Sequence, residues 1–240
     1  MDAWLFLLRW FHFLAGITWI GMLYYFNFVQ VPFFAGAEPA VRTGMITGGL
    51  VSRALWWFRW GAMLTFITGW LYLLHRISQL GGVQAFFNTP YGWAIFIGGF
   101  IGSLMWFNVW FIIWPAQQVV MASATRVKEG GQAIPEAAAR GARGGVTSRT
   151  NTLLSIPMLF FMGAASHWAF FTPTTRPWKI TMLVVFLVIL AIVQANAVVG
   201  PATPDKASAG KKLLSTVKGT FWAGFVLTAI FVIALKIIFG

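Results

Sequence analysis

The chain holds three histidines, His12, His75 and His167, and no cysteine. Without Cys, disulfides, thiolate zinc sites, Cys-ligated iron–sulfur clusters and the C-x-x-C-H haem attachment motif are excluded within the chain. Any cofactor must be held by His, Met, Lys or carboxylate. His12 lies inside the apolar run WLFLLRWFHFLAGITWIGMLYYFNFVQVPFF, from Trp4 to Phe34. A polar group there costs free energy unless it faces a partner, a ligand or a cavity. A lone His in such a run is ordinarily a hydrogen-bonded packing residue. Three at similar depth point instead to haem b held by two imidazoles, with flanking helices clamping the macrocycle.

That depth follows from the helices that must carry the histidines. With 59% hydrophobic and 9% charged residues and a mean hydropathy of +0.77, the chain cannot be a water-soluble domain of this size. It reads as an all-α polytopic membrane bundle, a single transmembrane domain over residues 1–240. Six spans are long enough to cross: about 4–33, 54–78, 92–117, 150–172, 178–200 and 219–239. The start, MDAW, lacks the positive region of a signal peptide, so the first span is expected to be retained. The third connection, 118–149, contains AIPEAAARGARGG, which predicts a short helix starting near Pro135 and stopping at Gly141 or Gly144.

The net charge of +12 could suggest nucleic acid, but the basic residues sit between apolar spans, where anchoring at the membrane explains them better. No nucleic-acid partner is expected. The first, third and fifth connections carry Arg42, Arg53, Arg126, Lys128, Arg140, Arg143, Arg149, Lys206, Lys211, Lys212 and Lys218, against Arg9, Arg76, Arg176, Lys179 and Lys236 on the other side. The positive-inside bias therefore places the loop 118–149 in the cytoplasm and both termini outside, in the periplasm of a bacterial inner membrane.

In that topology all three histidines fall in the outer half. His12 and His167 agree best, each roughly 7–9 Å from its helix centre at 1.5 Å per residue, whereas His75 lies several Å higher. His12 and His167 are the preferred pair of iron ligands, with His75 an alternative ligand or a propionate partner. Arg9 and Arg76, on the same side, suit haem propionates, although interfacial snorkelling would also explain them. Of the 14 Trp, most fit interfacial belts or packing.

A second polar set lies toward the cytoplasm: Asn27, Gln30, Arg59, Asn108, Gln117, Asn151 and Ser155. Interhelical hydrogen bonding is the plain explanation. A polar cavity is the sharper one, with Arg59, Asn108 and Gln117 as candidate substrate contacts. Pro32, Pro115 and Pro157 would free backbone carbonyls nearby.

The phrases WFHFLAGITWIGMLYYFNFVQVPFF (10–34), ALWWFRWGAMLTFITGW (54–70), WFNVWFIIWPAQQ (106–118) and SRTNTLLSIPMLFFMGAASHW (148–168) resemble the membrane domain of bacterial cytochrome c-linked urate hydroxylase, the urate oxidase N-terminal family. The resemblance implies oxidation of urate to 5-hydroxyisourate, with electrons leaving to a cytochrome c. In that family a C-terminal cytochrome c domain usually follows, whereas this chain shows no C-x-x-C-H up to Gly240, so the expected acceptor is a separate periplasmic cytochrome c. A fainter likeness, to small membrane protoporphyrinogen oxidases that bind haem through a first-helix His, rests on His12, Trp19 and Gly21. The expected function is a haem b oxidoreductase. The alternative is a non-catalytic membrane anchor for subunits of a respiratory or other redox complex. A transporter fits less well, because neither an internal repeat nor an intramembrane carboxylate is evident.

Overall fold

The computed structural model describes residues 3–203 and 205–239, and every regular element among them is helical. The first helix is α1 (Ala3–Tyr24), continued through a π-helical turn, Tyr25–Gln30, into α2 (Val31–Gly36). Two short turns bracket the next long one: α3 (Pro39–Thr47), α4 (Leu50–Gln79) and α5 (Val83–Phe86). Helix α6 (Pro90–Asn108) runs through a second π-helical turn, Val109–Ile113, into α7 (Trp114–Lys128). The remainder comprises α8 (Ala137–His167), α9 (Arg176–Val198), α10 (Ala209–Leu213) and α11 (Val217–Phe239).

Among the described residues four helical stretches are long and apolar enough to cross a membrane: Ala3–Gly36, Pro90–Lys128, Arg176–Val198 and Val217–Phe239. Large apolar side chains point outward from them, among them Ile17, Ile192 and Ile237. The chain is a multi-pass membrane protein. The other two long helices, α4 and α8, carry more of the polar residues: α8 packs against α6, α7 and α11 at the inside of the bundle, while α4 packs along α1 and leaves Trp57, Leu64 and Leu74 exposed.

Small residues set those close approaches. A Cβ on Gly61 of α4 would lie 3.1 Å from the Trp19 backbone nitrogen of α1, and one on Gly224 of α11 would lie 2.9 Å from the Leu153 carbonyl oxygen of α8. Such glycines let backbones meet where side chains would hold them apart. Between them Trp19, Leu23, Phe58, Met105, Leu154, Phe161, Phe186 and Phe231 form a continuous apolar core.

The two π-helical turns have the same cause. Each ends two residues before a proline, Pro32 or Pro115, whose missing N–H and bulky ring disturb the regular ladder. At Pro157 the helix stays α-helical throughout.

Two expectations for the third connection are corrected. Helix α7 continues to Lys128, and the short helix does not stop at Gly141 or Gly144, because α8 runs unbroken from Ala137 to His167. A glycine ends a helix by adopting positive φ, as Gly49, Gly81, Gly82, Gly130 and Gly200 do here. Gly144 instead serves packing, since its Cβ would lie 3.1 Å from Ala116 Cβ on α7. The fourth span also ends earlier than 172, at His167.

Candidate functional site

A cavity of about 680 Å³ opens between α1, α4, α6 and α8, and both His12 and His167 line it. Its size falls in the range of small-molecule and cofactor sites, roughly 300–1,000 Å³. The elements converge because His12 lies on α1 beside the middle of α4, while His167 closes α8 at the same end.

His12 Nδ1 lies 2.9 Å from the Thr65 carbonyl oxygen and 3.3 Å from Thr68 Oγ1, both on α4. A carbonyl only accepts, so Nδ1 carries the proton and Nε2 keeps its lone pair. That arrangement is the usual one for a metal-binding imidazole, whose other nitrogen is fixed by a backbone or carboxylate acceptor. Gly69, one turn beyond Thr65, makes room for the ring. A Cβ there would come within 2.8 Å of His12 Cε1 and 3.1 Å of Nδ1.

The rest of the lining suits a flat apolar group. Gly16, Gly21, Gly99 and Gly163 face the cavity, and at Gly21, Gly99 and Gly163 a Cβ would meet nothing within 4 Å. Phe66, Trp70 and Met162 supply apolar walls. Trp19 Nε1 is buried without a hydrogen-bond partner. At the rim Arg9 lies over the Tyr72 ring at 5.7 Å and Arg76 over the Tyr91 ring at 5.6 Å. Arg9 and both tyrosines line the cavity, whereas Arg76 and His75 do not. Of the five residues expected around haem, His12, His167 and Arg9 therefore share one cavity. Arg76 reaches it only through Tyr91, and also donates to Gln79 Oε1. His167 is exposed at the end of α8. No cluster of three or more His, Cys, Asp or Glu that could hold a metal ion occurs among the described residues.

The residues present fit haem b by three features of the chain itself: an Nε2 lone pair on an oriented imidazole, a second imidazole on the same cavity, and a floor of glycines. When bound, haem would supply reversible one-electron chemistry.

The three candidate substrate contacts are not brought together. Asn108 is fully buried in an amide cluster: its Nδ2 donates to Asn151 Oδ1 at 2.9 Å and Gln194 Oε1 at 3.1 Å, and Gln194 Nε2 donates back at 2.7 Å. Asn151 Nδ2 completes the cluster on the Met105 carbonyl. Arg59 stacks its guanidinium 3.9 Å from the Trp114 ring centroid and 5.1 Å from that of Trp110. Gln117 lines a second cavity, of about 670 Å³, at the other end of the bundle. On its lining Asn27 donates to Ser148 Oγ; Tyr24 and Ser155, hydrogen-bonded to each other, lie outside it. Outside the long helices, burial and then the charge of Arg143 lower the pKa of Lys211 beside this cavity.

A polytopic helical membrane protein with a histidine-bearing cavity is the class that this geometry defines. The family model for the urate oxidase N-terminal domain matches residues 81–201, half of the chain, and the protein belongs to that family. The matched stretch includes His167, Asn108, Gln117 and all of α9; His12 and His75 precede it. No curated protein and no solved structure matches the chain.

Proposed function

We propose that the protein is a haem b-binding oxidoreductase of the bacterial inner membrane that oxidises urate to 5-hydroxyisourate and delivers the electrons to a periplasmic cytochrome c. In this reading α4 and α8 also cross the bilayer, giving six spans with both termini in the periplasm. The reaction adds the oxygen of one water to urate and releases two protons and two electrons. His12 and His167 hold the iron, with Arg9 beside the propionates. Thr65 fixes the His12 tautomer, and the apolar walls exclude water. The observation that carries the reading is the joint placement of His12 and His167 on one glycine-floored cavity in a chain of this family.

Dithionite reduction of the purified protein is expected to give a b-type difference spectrum, and membranes containing it are expected to reduce added cytochrome c when supplied with urate. A colourless, folded protein would contradict the haem assignment. Urate-independent behaviour of a haem-loaded protein would contradict the substrate.

A further inference from the structure

The second cavity lies beyond the first along the bundle axis. Gly21 of α1 lines the one and Phe26 the other, about 7 Å apart at the helical rise. Both π-helical turns border it: Phe26, Asn27 and Gln30 come from the first and Ile113 from the end of the second. Such turns recur at functional sites because they swing side chains out of the regular register.

Its polar lining is one-sided in charge. Arg149, Lys211 and Lys212 face it, and no Asp or Glu does among the described residues. Arg149 donates to the Leu214 and Ser215 carbonyls, and Lys211 to those of Val199 and Pro201. These cations are thus met by carbonyl dipoles alone at the contacts seen. Gln30 is 8% exposed, and its Oε1 is buried with no hydrogen-bond partner. A buried carboxamide oxygen without a donor keeps its desolvation penalty uncompensated, which a ligand N–H would relieve. Phe26, Phe58 and Leu55 provide apolar walls, and at Gly145 a Cβ would meet nothing within 4 Å. Anchoring on lipid headgroups explains the basic residues but not a buried, unpaired amide between aromatic walls.

We propose that this cavity binds a small, flat organic anion bearing amide-like N–H and C=O groups, with its charge toward Arg149, Lys211 and Lys212 and an N–H donated to Gln30 Oε1. The inference rests on the substrate half of the reading above, the urate monoanion being one member of the class, and is independent of the haem half. It separates the two halves of the molecule into an anion cavity and a histidine cavity.

The test is equilibrium dialysis of radiolabelled urate at neutral pH against the detergent-purified protein and its His12→Ala variant. Saturable binding is expected in both. Gln30→Leu and Arg149→Gln should each weaken it by at least about tenfold, equivalent to 1.4 kcal/mol. Gly145→Leu, which fills the space without touching a charge, should abolish it; circular dichroism and gel filtration check that each variant is folded. Caffeine, uncharged, should not compete. Absence of urate binding to a wild-type protein that shows the b-type spectrum overturns this inference and leaves the haem assignment standing. Binding without a haem spectrum does the reverse. Displacement of urate by inorganic phosphate or by phosphatidylglycerol vesicles at equal anion concentration would identify a phosphate or lipid-headgroup site, and would also overturn it.

Discussion

His12 Nδ1 sits 2.9 Å from the carbonyl oxygen of Thr65, a residue 53 positions away on the neighbouring helix. The contact orients the imidazole, and Gly69 leaves the ring just enough space.

Gly69→Ala therefore tests the orientation without removing the ligand. Its Cβ would lie 2.8 Å from His12 Cε1, so the ring must turn and give up Thr65. The variant is expected to fold, since Ala favours a helix over Gly by about 1 kcal/mol, yet to show a shifted or weakened b-type spectrum. A spectrum identical to wild type would show that the ring's setting does not matter.

The amide cluster of Asn108, Asn151 and Gln194 joins α6, α8 and α9. Interhelical hydrogen bonds in membranes contribute about 0.6 kcal/mol on average, up to about 1.7. Asn151→Leu breaks two of them and leaves Asn108 short of a partner, so a loss near the top of that range is expected. Unfolding in mixed micelles would measure it, with haem content unchanged.

Arg59 stacks on Trp114 and Trp110, and its Nε is buried without a hydrogen-bond partner. Lys keeps the charge but not the planar face. Arg59→Lys is expected to cost about 1–2 kcal/mol of stability and to leave urate binding intact. Loss of binding with stability retained would instead make Arg59 a substrate contact.

Gly61→Leu would force α1 away from α4, where a Cβ already meets Trp19 at 3.1 Å. Overpacking of this kind costs typically about 1–3 kcal/mol. Because the same helix pair frames the histidine cavity, haem content should fall together with thermal stability. Unchanged stability would mean that the pair tolerates separation.

Much of this organisation was legible in the sequence. Hydropathy located the long helices, and helical rise placed His12 and His167 at matching depth; the structure sets both on one cavity. His75, only several Å from the others by the same reasoning, lies outside that lining, because depth says nothing about which face of a helix a residue occupies. The partner of His12 could not be read, since it is a backbone carbonyl, which any residue at position 65 would present. Helix ends beyond the expected membrane boundary were hidden for another reason: hydropathy reports where lipid ends, not where the hydrogen-bond ladder stops. The prolines at 32 and 115 signalled disturbed backbone, but not the wide turns by which the chain absorbs it. Asn108 and Gln117 carried the same polar signal, yet one is spent in a packing cluster and the other faces a cavity.

The pyridine haemochrome of purified wild-type protein, compared with His12→Ala and His167→Ala, tests the account most directly. Stoichiometric haem b in the wild type, lost in His12→Ala and lost or spectrally altered in His167→Ala, is the result expected. Folded variants that retain an unchanged b-type spectrum, or a wild type without haem after expression with ample haem supply, would contradict it.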